Sequence, residues 1–426
     1  MNPDLIIKNQ RPFFSSFWRK VLLFLSVFGP ATITAMADND AGGVATYSIA
    51  GAKLGYPILF LLPVITLLLA VTQEMGMRLT IITRRGLADL IREKFGVKSA
   101  LFMFGALLVA NIGTLVTELS AVKTTSAMFN ISPIPAVIAI VLVSFVVITR
   151  GNYKFTQNIM LVACLFFLAY IFSAFMAKPD WSMATTNLIW PHGVDFTQSY
   201  LRDFLIIGMG VLGTTITPWG QFFISSFASD KKIEKGKVGL SQLETYWGAF
   251  LTDFFSFFMI VATAATLYVN RITLVSGEQA ALAIQPFAGK MAGMLFAFGI
   301  LNAGFMGLVV VSLSTAYAFA EFFGVSGSLD DTFKKSKTFY ILYGIQLLVA
   351  MFIAVFSNVS LFQIAVVTQI INAIALPLVF YYLIKLTSDR NLMGSYVNNG
   401  FQKWFSIICS VFIVIASIFT VASIFF

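Results

Sequence analysis

Runs of about 20 apolar residues recur along the whole chain, and a run of that length is what an α-helix needs to cross the hydrocarbon core of a bilayer. A transmembrane β-barrel would instead alternate apolar and polar residues within shorter segments. The runs here are continuous, so their backbone must satisfy its hydrogen bonds as helix, and the chain reads as an all-α integral membrane protein. No polar stretch is long enough to build a soluble catalytic domain. Composition agrees: 58% of the residues are hydrophobic and 11% charged, where soluble proteins carry about a quarter of their residues as charges. Cys164 and Cys409 both sit in apolar runs, which excludes a disulfide framework and a cysteine metal site. The lone histidine, His192, falls in a Trp-Pro-His-Gly loop.

A formal net charge of +9 would point to nucleic acid in a soluble protein, but its placement gives another reading. We divide the chain into eleven spans, near 21–50, 56–77, 99–129, 133–149, 157–177, 201–228, 244–269, 286–323, 337–357, 360–384 and 401–426. Alternate connections then hold most of the 28 Lys and Arg residues. Lys8, Arg11, Arg19 and Lys20 precede the first span, six basic residues lie between Arg78 and Lys98, and Arg150 and Lys154 follow the fourth span. The same side takes Lys231 to Lys237, then Lys334, Lys335 and Lys337, then Lys385, Arg390 and Lys403. Only Lys53, Lys123, Lys178, Arg202, Arg271 and Lys290 are left for the other side or the spans. By the positive-inside rule the N-terminus is expected in the cytoplasm and the C-terminus outside. The expected organisation is a cytoplasmic segment 1–20 and one membrane domain over 21–426, multi-pass in the cell membrane, with no cleavable signal peptide, no nucleic-acid partner and no obligate protein partner.

Function should lie where polar groups interrupt the apolar background, because an ionisable group in a span is costly unless paired or hydrated. Asp38, Asp40, Glu118 and Asp253 fall well inside spans; Glu74, Glu244 and Glu321 fall near span ends and are assigned to the interface. The first span carries Asp38-Asn39-Asp40-Ala41-Gly42-Gly43, where Gly has poor helix propensity and Asp and Asn compete for backbone bonds, so a break is expected over 38–43. The sixth carries Gly213-Thr214-Thr215-Ile216-Thr217-Pro218-Trp219-Gly220-Gln221, where Pro218 removes a donor and the threonines and Gln221 supply oxygens at one depth. Spans 1 and 6 correspond in a five-plus-five inverted repeat, with one repeat near 21–177, the second near 201–384 and an extra helix at 401–426. Paired interruptions at matching positions point to a midplane site in a secondary transporter.

The stretch from Gly29 through Asp40-Ala41-Gly42-Gly43 to Ala52, together with Gly213 to Trp219, resembles the broken helices 1 and 6 of the NRAMP divalent-metal transporters, and the similarity in hydropathy extends over essentially the whole chain. The resemblance implies a LeuT-like fold. It places the family's metal-binding Asp on Asp40, its Asn on Gly43, its Met on Thr217, its Pro on Pro218, its His on Trp219 and its carbonyl ligand on Thr214. In Thr117-Glu118-Leu119-Ser120-Ala121, Glu118 matches a family Asp, while the family's proton-transferring Glu is replaced by Ala121. Asp253 stands in place of a polar Asn of helix 7.

These departures have chemical content. A thioether favours softer transition metals, whereas hydroxyl, carboxylate, amide and carbonyl oxygens suit Mg2+, Ca2+ or Mn2+. Thr217 in place of Met removes the soft ligand, Gly43 in place of Asn is expected to widen the site, and Mg2+ keeps several waters when bound. The pattern is similar to the NRAMP-related magnesium transporter branch. That resemblance implies import of Mg2+, and also Mn2+, as a partly hydrated ion without proton coupling. The ion is cargo, and no cofactor is expected.

The candidate ligands are therefore Asp40, Thr217, Thr214, Gly43, Gln221 and Asp38, with Asp253, Glu118, Trp219, Asn39 and Gln369 around them. Asp253 reads equally as a metal ligand or a hydrogen-bonding group within the bundle, while Gln369 reads first as an amide bonding between helices. Arg84 to Lys94 reads either as an amphipathic helix on anionic lipid or as a solvated connector. Two other function classes compete. A proton-coupled Mn2+ importer or organic-substrate symporter would share the architecture. An intramembrane aspartyl protease would need Gly-x-Gly-Asp, and Asp253 follows Phe250-Leu251-Thr252 instead.

Overall fold

The computed structural model describes residues 23–272, 274, 279–356 and 361–425, and the expected segment 1–20 lies outside them. Among the described residues every regular element is helical. The first span is two helices, α1 (Pro30–Ala37) and α2 (Ala41–Leu54), followed by α3 (Leu61–Thr83) and the long α4 (Leu87–Met128). Next come α5 (Pro133–Arg150), α6 (Tyr153–Leu165), α7 (Leu168–Met176) and α8 (Trp181–Ile189). The sixth span is again two helices, α9 (Gln198–Thr215) and α10 (Pro218–Lys231). The remainder is α11 (Val238–Thr263), α12 (Gln279–Ala288), α13 (Lys290–Phe323), α14 (Lys337–Phe356), α15 (Leu361–Thr387), α16 (Arg390–Met393) and α17 (Gly400–Phe425).

Nine helices among the described residues are long and apolar enough to cross a membrane; α1, α2 and α10 are not among them because the interruptions leave short pieces, and α9 is long enough but opens on the polar residues Gln198, Arg202 and Asp203. Those pieces form the centre. Every residue of α1 is buried, α2 is buried except for Lys53, and α10 is buried from Pro218 to Ala228. The outer helices are the reverse. Ile138, Leu142, Val143 and Val146 of α5 and Ile408, Phe412, Ile415 and Phe419 of α17 are exposed. A continuous apolar exterior around a polar-lined centre is what a lipid solvent selects. The core pairings follow: α11 packs on α1, α2 and α3, while α15 packs on α9 and α4.

Several boundaries differ from those read in the sequence. Gly42 and Gly43 are helical and the first break is confined to residues 38–40. Of the Arg84 to Lys94 stretch, Arg84 to Gly86 is the turn after α3 and Leu87 onward is the first part of α4, bent off at Gly96, whose φ of 85° only glycine adopts readily. Its apolar face, Leu87, Ala88, Leu90 and Ile91, is buried, and Glu321 of α13 accepts from the Ala88 amide at 3.1 Å. The span expected at 286–323 is divided at Gly289.

Glu74, assigned above to the interface, does not face the surroundings of the protein. It is fully buried on α3 and paired with Arg78, Nε to Oε1 2.6 Å. Arg78, counted above among the loop cations, also bonds the Tyr396 carbonyl and donates to Asn398 Oδ1 at 2.8 Å, so this ion pair ties α3 to the segment leading into α17. A buried pair needs such extra partners to offset its desolvation.

Candidate functional site

Each interruption is a capping residue followed by a new helix start. After α1, Asp38 and Asn39 form a turn, and Asp40 in an extended conformation accepts from the Gly43 amide through Oδ1 at 2.7 Å. After α9, Thr217 Oγ1 accepts from the Gly220 amide at 3.0 Å. Pro218 occupies the first helical position of α10, where its missing amide would have no partner anyway, so it starts a helix and does not kink one.

The two interruptions touch. Thr217 Oγ1 donates to Asp38 Oδ1 at 2.9 Å. A Cβ placed on Gly43 would come 2.8 Å from the Asp38 carbonyl oxygen and 2.9 Å from Thr214 Oγ1. On Gly42 it would come 2.8 Å from Gln369 Nε2 and 3.3 Å from Asp40 Oδ1. Asp38, Asp40, Gly43, Thr214, Thr217 and Gln369 therefore share one locus, all of the named side chains buried. The widening expected from Gly43 is not seen in this conformation. The Thr214 hydroxyl and the Asp38 carbonyl have closed onto the glycine, and the missing side chain is what allows that approach.

The other candidates stand around this locus. Glu118 uses both oxygens on the start of α2, accepting from the Ala41 amide at 2.9 Å and the Gly42 amide at 3.4 Å, a favourable place for a carboxylate against the helix dipole. Asn39 faces α11, donating to the Thr252 carbonyl at 2.9 Å and accepting from Ser256 at 2.8 Å. Gln221 turns toward α3, its amide 3.4 Å from Thr72 Oγ1. Asp253 accepts from Thr66 Oγ1 at 2.5 Å. Trp219 is fully buried, and its carbonyl accepts from Ser314 at 2.8 Å.

Sequence reasoning missed two groups. Gln73 donates to Asp38 Oδ2 at 3.2 Å; a lone amide within an apolar run was the available signal. Glu244, assigned to the interface, is fully buried and accepts from the Gly29 and Thr32 amides at 2.8 and 3.0 Å, capping the start of α1. No spacing within either segment signals that pairing, since the partners are over two hundred residues apart.

Asp40 Oδ2, Thr214 Oγ1, Gln221 Oε1, Gln73 Oε1 and Asp253 Oδ1 are buried without a hydrogen-bond partner. An orphaned buried polar group costs about 1–3 kcal/mol, so their concentration around the two helix breaks needs a reason. These five are oxygens, the donor type preferred by hard cations and by the waters they carry, and two nitrogens of the same region, Gln369 Nε2 and Trp219 Nε1, are unpartnered beside them. Among the described residues no three His, Cys, Asp or Glu side chains converge on one point. A cation at Asp40 would thus draw on hydroxyl, amide and carbonyl oxygens and water, a set suited to binding and release.

Residues 31–423 match the family model described as natural resistance-associated macrophage protein-like. The divalent metal cation transporter MntH of Bacillus subtilis (strain 168) is 25% identical over 437 residues, covering 96% of this chain and 94% of its own. MntH of Granulibacter bethesdensis is 24% identical over 402 residues, with 91% and 85% covered. Among solved structures, the Eremococcus coleocola manganese transporter in complex with an aromatic bis-isothiourea substituted compound superposes with a TM-score of 0.77 at 18% identity, covering 97% of this chain and 88% of that one. Mhp1, a nucleobase-cation-symport-1 family transporter in a closed conformation with bromovinylhydantoin bound, gives 0.59 at 14% identity, with 92% and 90% covered.

Proposed function

This chain belongs to the Nramp family, and on that premise we propose that it transports divalent metal cations across the cell membrane, importing chiefly Mg2+, and also Mn2+, as a partly hydrated ion by alternating access without proton coupling. In this reading the nine long helices and the two interrupted pairs make eleven spans, arranged as five plus five with one added, and the N-terminus is cytoplasmic. The observation that carries the proposal is the junction of the two breaks: Asp38 bonded to Thr217, with Asp40 Oδ2 and Thr214 Oγ1 buried and unpartnered beside it. A carboxylate supplies the charge that a dication needs in a low-dielectric interior, and the remaining donors are hard oxygens.

Mn2+ transport alone would be equally served by a thioether at position 217; the hydroxyl there supports a harder ion. The engagement of both Glu118 oxygens by backbone amides supports a helix-capping role for this carboxylate over that of a proton carrier. The Asp38 carbonyl and the Thr214 hydroxyl close on Gly43 so tightly that one added carbon would crowd them, and in this reading the breaks separate to admit a hydrated ion, as alternating access requires.

The test is metal flux into liposomes holding the purified protein, comparing Mg2+ with Mn2+, with and without an imposed pH gradient. Mg2+ entry unaffected by the gradient is expected. Mn2+ entry alone, accelerated by an inward proton gradient, would replace this reading with proton-coupled Mn2+ import.

A further inference from the structure

Where α15 ends and α17 begins, the two helices enclose a groove of about 660 Å3 lined by Lys385, Lys403, Ser388, Asp389 and Tyr381 at one end and by Pro377, Ile407, Val411 and Ile415 beyond. Lys385 lies in the last turn of α15 and Lys403 in the first turn of α17, so both ammonium groups stand at the mouth. Among the described residues neither forms an ion pair within 4 Å. Lys385 sits 6.0 Å above the Tyr381 ring. Asp389, the one acidic residue of the lining, caps α16, accepting from the Asn391 amide at 2.8 Å, and its single charge stands against those of both lysines. The mouth is therefore net positive.

From Lys403 to Ile415 the helix rises about 18 Å into the span, enough to lie beside most of an acyl chain. An apolar channel opening at a paired cationic mouth, at the level where a membrane helix meets water, has the charge and shape of a phospholipid with an anionic headgroup. We propose that this groove holds an anionic phospholipid, its phosphate between Lys385 and Lys403 and an acyl chain along Pro377, Ile407, Val411 and Ile415. The lipid would back the helix that carries Gln369, whose amide lies where a Cβ on Gly42 would meet it at the junction of the breaks. The proposal does not depend on which ion is carried.

The test uses the full chain in phosphatidylcholine vesicles containing a phosphatidylglycerol probe with a photoactivatable acyl chain. After irradiation, peptides of α15 and α17 should carry the label. Labelling there should fall about tenfold in K385A/K403A, as loss of two charges facing an anionic headgroup implies. The charge-preserving K385R/K403R and a distant control, K334A/K337A, should label as the unmodified chain does. Equal labelling of K385A/K403A would overturn the proposal. So would equal labelling of the groove by a matching phosphatidylcholine probe, the behaviour of a channel that takes any acyl chain.

Discussion

Asp40 has two tasks, and they can be separated by substitution. Its Oδ1 caps α2, while Oδ2 is the charge offered to an ion. Asparagine caps as well as aspartate does, so Asp40→Asn should remove the charge and keep the helix start, abolishing most metal flux with little change in thermal midpoint. Asp40→Ala should lose both, with stability lower by about 1 kcal/mol. Full Mg2+ flux in the Asn variant would remove Asp40 from the ion path. Thr217 is similar, capping α10 and donating to Asp38. Thr217→Met should move the Mg2+ to Mn2+ flux ratio toward Mn2+ and Cd2+ at a capping cost of about 1 kcal/mol, whereas Thr217→Ser should keep the ratio. An unchanged ratio in the Met variant would refute the oxygen-site account. The residues at the breaks were legible in the sequence because carboxylates and threonines stand out against an apolar run. Their geometry was not: the same glycines that suggested an open cavity prove to be points of contact.

Helix α1 is held at its start by groups from other elements, and this latches it to the helices around it. Glu244 of α11 accepts from two of its free amides, while the Phe28 carbonyl accepts from Gln157 at 3.2 Å and from Lys231. At its far end it is held by Asp38. Glu244→Ala should leave the first amides of α1 without an acceptor, and hydrogen exchange over Ile33 to Ala37 should speed up by about tenfold or more, the equivalent of a lost charged hydrogen bond. Glu244→Gln retains an acceptor oxygen and should exchange more slowly than the Ala variant. Equal protection in all three proteins would show that the latch is idle. At this scale the existence and order of the long helices could be read from hydropathy alone, because length is what a bilayer demands. The start of α4 could be read as an amphipathic helix but not where its apolar face packs, and the buried Glu74 and Arg78 pair could not be read, since a charged side chain is scored as surface until a tertiary partner is known.

For the whole molecule, the proposed mode of coupling has a direct check. Histidine titrates nearest neutral pH, and His192 lies in the loop after α8, its amide bonded to Asn187 at 2.7 Å, away from the breaks. Mg2+ influx into sealed liposomes should therefore leave a trapped pH dye unchanged; acidification in step with influx would point to Glu118 as a proton carrier. The closed contact of Gly43 with Thr214 and the Asp38 carbonyl also bears on apparent affinity. If ions load only when that contact parts, the measured dissociation constant is the intrinsic one divided by the fraction of molecules already parted. Each tenfold scarcity of that fraction weakens apparent binding tenfold, about 1.4 kcal/mol, with no ligand altered. Gly43→Ala, which crowds the contact, should therefore bind metal at lower concentrations than the unmodified chain, and two carriers with identical ligands could differ widely in the concentration they serve through the tightness of this one packing contact.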